Sequence, residues 1–479
     1  MVARRGGVRS GHAALLPCWA MAQPLEPDAA TRSEIARAVL DYLNEWFDRA
    51  EEMDASGVDL DRATLEAFRA PPAESGRPLE DILDELRVAG GDGIYHPSGG
   101  HLSYIPNAGL YSAAVAEFLA AGLNRYTGVA SAAPGFSAIE HGVVDWLSSI
   151  FELGPRASGL LLSGGSMANL TGIVTARTAL LGDDFTDGVI YVTPHTHHSA
   201  AKAARLAGFR TDQVVAIAVD DDLRLSVGSV ERRIVADREA GRRPFLVIAS
   251  AGTTDTGTVD PLGAVADVVE ENRMWLHIDA AYGGFFQLTE RGRAVLTGIG
   301  RADSIALDPH KGLSIPFGVG ALVVKDEGSL VDAHLGRGAY LRDEDSYNGI
   351  RDIASLGPEL SRPFRGLSVW LPLQLHGVGP FRDALDTSLD QAGYAYERLR
   401  GVRGLDKTWK PDLSIVAFRA TDDELGRAAW EAVNADRKIH LSPTVVDGRF
   451  VLRLAILNRR TTIEHIDHAI DIIEKTLIG

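Results

Sequence analysis

Cysteine is nearly missing from this chain: Cys18 is the only one among 479 residues. A lone cysteine excludes an internal disulfide and any cysteine-built metal cluster, and it fits a reducing compartment, for which we expect the cytoplasm. Long apolar runs are missing as well. No stretch reaches the roughly twenty apolar residues a spanning helix needs, so no membrane partner is expected. Basic residues are outnumbered, with 48 Lys and Arg against 65 Asp and Glu and a formal net charge of -17. No basic stripe or aromatic-interleaved basic patch stands out, and nucleic acid is not an expected partner. Internal repeats and low-complexity segments are absent too.

What is present is core-forming material. With 45% hydrophobic and 24% charged residues, the chain can bury a large core and divide into more than one structural unit. The first residues carry Arg4, Arg5 and Arg9, then a short apolar stretch broken by Pro17, then Ala20-Met21-Ala22, which has the look of a small-residue cleavage site. We read residues 1–23 as a tail or a mis-assigned start, with Met21 as the alternative first residue. Residues 24–95 form an N-terminal helical segment. Apolar residues recur there at helical spacing over about Glu26–Glu52 (Ile35, Val39, Leu40, Leu43) and Ser75–Ala89 (Ile82, Leu83, Leu86), divided by the turn-forming Arg69-Ala70-Pro71-Pro72.

Residues 96–370 alternate short apolar strands with helical stretches. The strands are Gly159–Leu162, Val189–Val192, Val214–Ile217, Phe245–Ile248, Trp275–Ile278, Ser304–Leu307 and Gly320–Val324. This alternation predicts an α/β fold with a mostly parallel sheet covered on both faces by helices and with ligand groups at strand ends. A helix begins near Leu367. Residues 371–479 read as a smaller C-terminal α/β domain, with strands at Leu413–Ala417 and Phe450–Leu454 and a closing helix from about Thr462.

Chemistry gathers at the strand ends. Lys311 lies in Ala306-Leu307-Asp308-Pro309-His310-Lys311-Gly312, about thirty residues after a strand that ends in Asp279-Ala280-Ala281. A lysine where a strand leaves the sheet can form a Schiff base with a carbonyl cofactor, and an aspartate at an earlier strand end can pair with a pyridinium nitrogen. Together they point to pyridoxal 5'-phosphate. The turn Ser163-Gly164-Gly165-Ser166-Met167-Ala168-Asn169 joins an apolar strand to a helix, where glycines let backbone N–H groups approach a phosphate. The run Thr193-Pro194-His195-Thr196-His197-His198-Ser199 offers either metal ligands or a partner for a cofactor ring; no Cys, Asp or Glu stands at ligand spacing, so no metal is expected. His195 and His198 are expected at the pocket rim or in solvent.

These ordered motifs resemble the group II pyridoxal-phosphate-dependent decarboxylases, the family of aromatic amino acid, histidine and glutamate decarboxylases, from about His96 to the C-terminus. The resemblance implies fold type I, the aspartate aminotransferase-like fold. It implies decarboxylation of an L-amino acid, with aromatic ones among the candidates, to its amine by a homodimer whose active site lies near the subunit interface and whose N-terminal helices pack on the partner. By the same resemblance Lys311, Asp279 and His197 are catalytic, His197 being the imidazole that stacks on the cofactor ring, with Ser199, Lys202 and Ala203 completing its motif. Ser166 and the Met167 N–H hold the phosphate, and Thr254 contacts Asp279 or the cofactor's phenolic oxygen. Ala281 packs on the second ring face, while Asp308 and His310 bind near the phosphate. Tyr104 and Asn107 belong to a segment resembling the family's substrate pocket. The segments Ala435–Leu441 and Phe450–Arg453 also resemble amino acid decarboxylases, and Arg453 reads either as a carboxylate clamp or as a structurally capped strand arginine.

Two departures mark the chain. Gly128–Gly135 is built of small residues where aromatic decarboxylases carry bulky rings, so the pocket is wider or is filled from elsewhere. Counting back from Ser361-Arg362-Pro363-Phe364-Arg365 puts Ile353 where the animal enzymes carry a loop tyrosine that protonates the product carbon; Tyr347 and Tyr340 are the nearby substitutes. Without one of them the outcome becomes oxidative, giving an aldehyde, or the chain is a related pyridoxal-phosphate lyase.

Overall fold

The computed structural model of the protein describes residues 25–105, 108–335 and 346–479; Cys18 and the tail, Asn107 and Tyr340 lie outside the described residues. The chain forms two compact units. The smaller one ends its first stretch at Asp48 and resumes over Arg69–Gly90. It carries most of the helix Ala29–Arg49 and the helix Leu79–Gly90. Arg87 reaches both Asp84, one turn back, and Glu45 on the other helix, while Arg77 grips Glu85 with two hydrogen bonds of 2.9 and 2.7 Å. Leu83 is buried, but Ile35, Leu40 and Leu86 stay exposed, so the expected helical spacing is present and its apolar face only partly covered.

The larger unit holds Arg49–Phe68 and Gly91–Gly479. A short helix, Arg62–Phe68, stands just ahead of the expected Pro-rich turn, and Asp61 starts it by accepting the Thr64 N–H at 2.8 Å. Seven strands make the main sheet: β1 (Ser158–Leu162), β2 (Gly188–Val192), β3 (Val214–Ala216), β4 (Arg243–Ser250), β5 (Trp275–Asp279), β6 (Ser304–Leu307) and β7 (Gly320–Val324). Their order is β1-β7-β6-β5-β4-β2-β3. All pairings are parallel except those of β7, which runs against both β6 and β1. Every residue of β1, β2, β5, β6 and β7 is buried, as expected for a sheet covered on both faces.

Register does the positioning. Ser250 pairs with Asp279, and Asp279 pairs with Ala306, one residue short of the end of β6, so the C-terminal ends of β4, β5 and β6 stand nearly abreast. The turns that follow these strands, together with the one after β1, therefore open on one edge of the sheet, where open α/β sheets bind their ligands.

A second, antiparallel sheet takes the order Leu405–Thr408, Ile415–Ala420, Arg449–Ala455, Ser442–Val446. The two strands expected here are present with shifted ends, and the closing helix is Ile463–Ile478. Val416, Phe418, Leu452 and Leu454 pack against Ile466, Ile470 and Ile473 of that helix in a core of their own. The helices Gly379–Arg400 and Asp423–Ala435 complete this part of the unit.

One ion pair is sealed inside the large unit. Arg362 meets Glu140 at 2.6 Å, with both side chains about 1% exposed, and donates to the Leu161 carbonyl of β1 at 2.7 Å. Deleting one partner strands a buried charge. Arg362→Leu is therefore expected to lower unfolding free energy by about 3–5 kcal/mol, and the double change with Glu140→Leu to recover much of that loss, both read by denaturant titration.

Candidate active site

A cavity of about 330 Å³ opens at the strand ends. Its wall contains the Ser163–Met167 turn, Asn169, His197, Ser199, Ser250, Gly252–Thr254, Asp279, Ala281, Tyr282, Asp308, His310 and Lys311. Nine expected residues meet there: Lys311, Asp279, His197, Ser166, Met167, Thr254, Ala281, Asp308 and His310.

Asp279 ends β5 with 8% of its surface exposed, and a carboxylate at such a place must find donors. The Ala281 N–H gives Oδ1 one at 3.2 Å, and Asn169 Nδ2 gives Oδ2 another at 2.9 Å. Asn169 is buried on the helix Gly165–Leu180; it also donates to Ser199 Oγ at 3.0 Å and meets His277 Nε2 through its own Oδ1 at 2.9 Å. Ser199 Oγ in turn lies 2.8 Å from His197 Nδ1. Burial holds His197 below the ordinary imidazole pKa; Asp279 opposes this, while His198 and Lys311 reinforce it.

The glycine turn is shaped by close approach. A Cβ on Gly165 would lie 2.9 Å from Asp308 Oδ2 and 3.0 Å from the Ala281 methyl, so a side chain there would fill the cavity. Met167 donates its N–H to the Gly164 carbonyl at 2.9 Å. The Met167 N–H thus has an acceptor within the turn, while the first N–H groups of a helix, here those of Gly165 and Ser166, have no intrahelical acceptor. Lys311 Nζ stands 3.0 Å from Asp308 Oδ2. Asp308 Oδ1 is buried without a hydrogen-bond partner, and His310 Nδ1 is tied to the Val319 carbonyl at 2.8 Å. Gly252, at φ +103°, leaves room for Tyr282, whose ring would otherwise lie 2.6 Å from a Cβ.

Other expected residues fall elsewhere. Tyr104 is not in the cavity wall. It belongs to a row of rings in which His310 neighbours Phe317, Phe317 meets His96 edge-on, and His96 packs on both Tyr104 and His101, all with centroids within 6 Å. His195 is not at the rim or in solvent: it is 7% exposed and faces Asp255 at 3.5 Å. His198 is exposed beside His197. Ile353 is 2% exposed in a cluster with Leu160, Leu162 and Leu322, and Tyr347 sits exposed on a two-stranded ribbon outside the cavity wall. Arg453 donates to the Thr254 carbonyl and to Ser442 Oγ.

Fold and site together define a class: a fold type I enzyme that uses pyridoxal phosphate, for which the cavity offers an amine, a buried carboxylate and a glycine turn at a helix start. Comparison narrows the class. Residues 71–421 match the family described as pyridoxal-dependent decarboxylase conserved domain. The chain is 36% identical over 462 residues to the aromatic-L-amino-acid decarboxylase of Bacillus atrophaeus, covering 93% of this chain and 95% of that one. It is 31% identical to the L-2,4-diaminobutyrate decarboxylase of Rhizobium meliloti, over 84% and 81% of the two chains. The crystal structure of Oryza sativa TDC with PLP and tryptamine superposes with a TM-score of 0.89 at 27% identity, over 96% of this chain and 99% of that one. The chain belongs to the pyridoxal-dependent decarboxylases, carboxy-lyases that act on amino acids with pyridoxal phosphate.

His101, at 2% exposure, sits in the ring row with its pKa pushed down to about 3 by burial and, secondarily, by His96 and His440. An unfolded histidine takes up a proton near pH 6.5, whereas this one stays neutral in the folded chain until about pH 3. Stability therefore falls as pH drops below 6.5, by about 1.4 kcal/mol per pH unit for this one group. His101→Phe is expected to flatten the dependence by one proton, measured as unfolding free energy between pH 6.5 and 4.5.

Proposed function

We propose that the cavity holds pyridoxal phosphate and that the chain decarboxylates an L-amino acid to its amine, with Lys311, Asp279 and His197 carrying the chemistry. The supporting observation is the convergence of the Lys311 amine and the nearly buried Asp279 carboxylate on one cavity beside the glycine turn. When bound, the cofactor supplies a carbonyl for amines and a ring that accepts the electron pair left when carbon dioxide departs. Lys311 would hold it through Nζ, which stands 3.0 Å from Asp308 Oδ2. Asp279 would keep the ring nitrogen protonated. Ser166 and the helix start would hold the phosphate, with Asp308 and His310 beside it; Thr254 would contact Asp279 or the phenolic oxygen. Ala281 and His197 would cover the two ring faces.

An aromatic side chain is the substrate we favour. The Bacillus atrophaeus relative is named for aromatic L-amino acids, and the ring row from His310 to Tyr104 offers aromatic faces and edges. Tyr104 and Asn107 would contact that side chain. Burial of Ile353 carries the second reading, in which the same site yields an aldehyde for want of a proton donor at that position.

We further infer a cytoplasmic homodimer. Phe118, Leu123 and Leu375 are exposed on the helices Tyr111–Leu123 and Gly366–His376, and the N-terminal helices leave apolar residues uncovered; a second copy would cover such faces. Among the described residues no helix is long and apolar enough to cross a membrane.

The test is mass spectrometry of products from the purified protein, pyridoxal phosphate and a panel of amino acids in air. An amine is expected; an aldehyde with peroxide would establish the oxidative reading instead. Lys311→Ala should lose the visible absorption of the lysine-linked cofactor and nearly all turnover, and a variant that keeps both would sink the assignment. Phe118→Asp should shift the sedimentation coefficient toward that of a monomer, whereas an unchanged value would place the interface elsewhere.

A further inference from the structure

Behind the cavity wall the buried polar side chains form one continuous chain of hydrogen bonds. It starts at Trp275 Nε1, 2.8 Å from Ser304 Oγ, and continues from Ser304 Oγ to His277 Nδ1 at 2.8 Å. From His277 Nε2 it reaches Asn169 Oδ1 at 2.9 Å, and from Asn169 Nδ2 it forks to Asp279 Oδ2 and Ser199 Oγ. The Ser199 branch ends on His197 Nδ1. Asn169, His277 and Ser304 are 0–1% exposed, so water does not compete for these bonds.

Counting protons orients every link. A carboxylate oxygen accepts, so the Asn169 group facing Asp279 is the NH₂ and its carbonyl faces His277. That carbonyl requires a proton on His277 Nε2. Burial keeps His277 neutral, with Asp279 opposing, which leaves Nδ1 as an acceptor for the Ser304 hydroxyl. The indole N–H can only donate, and Ser304 Oγ is its acceptor. On the other branch the second Asn169 proton goes to Ser199 Oγ, whose own proton then goes to His197 Nδ1. The Ser199 backbone N–H also points at that nitrogen, at 3.3 Å.

We propose that Asn169 and His277 are positioning residues: through one amide they aim the Asp279 carboxylate and fix His197 as the tautomer that carries its proton on Nε2. His197 thus meets the cavity as a donor and not as a base. The inference rests on the reading of the cavity as the cofactor site, since that reading gives Asp279 and His197 their roles.

Neutron diffraction from crystals of the holoenzyme reads the tautomers directly, and a deuteron is expected on Nε2 of both His197 and His277. Asn169→Leu should weaken pyridoxal phosphate binding about tenfold or more, the worth of one hydrogen bond to a charged group, and lower kcat while KM for the amino acid changes little. His277→Gln keeps an amide that can reach Asn169 Oδ1 and should stay near wild type, whereas His277→Asn falls short and should behave like Asn169→Leu. This pair carries the test if Asn169→Leu does not fold. A deuteron on His197 Nδ1, cofactor affinity within twofold of wild type in Asn169→Leu, or identical behaviour of the two His277 variants would overturn the relay. A wild-type chain that takes up no pyridoxal phosphate would instead sink the functional reading on which the relay stands.

Discussion

A carboxylate at the end of a central strand, with little access to water, is the constraint around which this site is organised. Asp279 has to be supplied with donors by the protein, because a bare charge in such surroundings is costly. The supply comes from a helix-borne amide and a backbone N–H, and each donor has neighbours of its own to satisfy. The need propagates outward to His277 and Ser304 on β5 and β6 and to Ser199 at the start of the helix His198–Leu206. The polar interior of the sheet is therefore continuous with the wall of the cavity.

Lys311 and Asp308 make a second, shorter arrangement at the same edge. The lysine follows β6 by only a few residues, on the four-residue helix Pro309–Gly312, so its reach is set by the strand rather than by a long loop. Asp308 is its ion-pair partner, and Gly165 leaves the space in which that pair sits. Rigid elements supply each reacting group, as a site that must hold a flat ring between two faces requires.

Much of this was legible in the chain. The apolar runs gave the strands of the main sheet because a doubly covered parallel sheet writes itself as short, nearly continuous hydrophobic segments. Lys311 and Asp279 stood out because an amine and a carboxylate at strand ends are the pair that a carbonyl cofactor with a pyridinium ring needs. Asn169 and His277 did not stand out. His277 is one polar letter inside an apolar strand, and Asn169 sits one helical turn past the glycines that drew attention to Ser166 and Met167. Their significance lies in a contact between elements more than a hundred residues apart, which no local pattern encodes. The burial of His195 against Asp255 and of Ile353 among leucines was hidden for the same reason: partners decide burial, and the partners are distant in the chain. The helix Arg62–Phe68 was lost beside a Pro-rich turn that dominated its surroundings.

The antiparallel strand β7 has a consequence for how the protein comes into being. Ser158 of β1 pairs with Val324, and Gly320 abuts Gly164 so closely that a Cβ would lie 2.4 Å from its Cα. The turn that opens the cavity is thus braced by a segment the ribosome makes more than a hundred and fifty residues later. A nascent chain released before β7 emerges has Asp279 and even Lys311 yet lacks the strand that braces the glycine turn, which is complete only when about two thirds of the chain has been made. The reactive lysine is thus made before the strand that closes the edge on which it works.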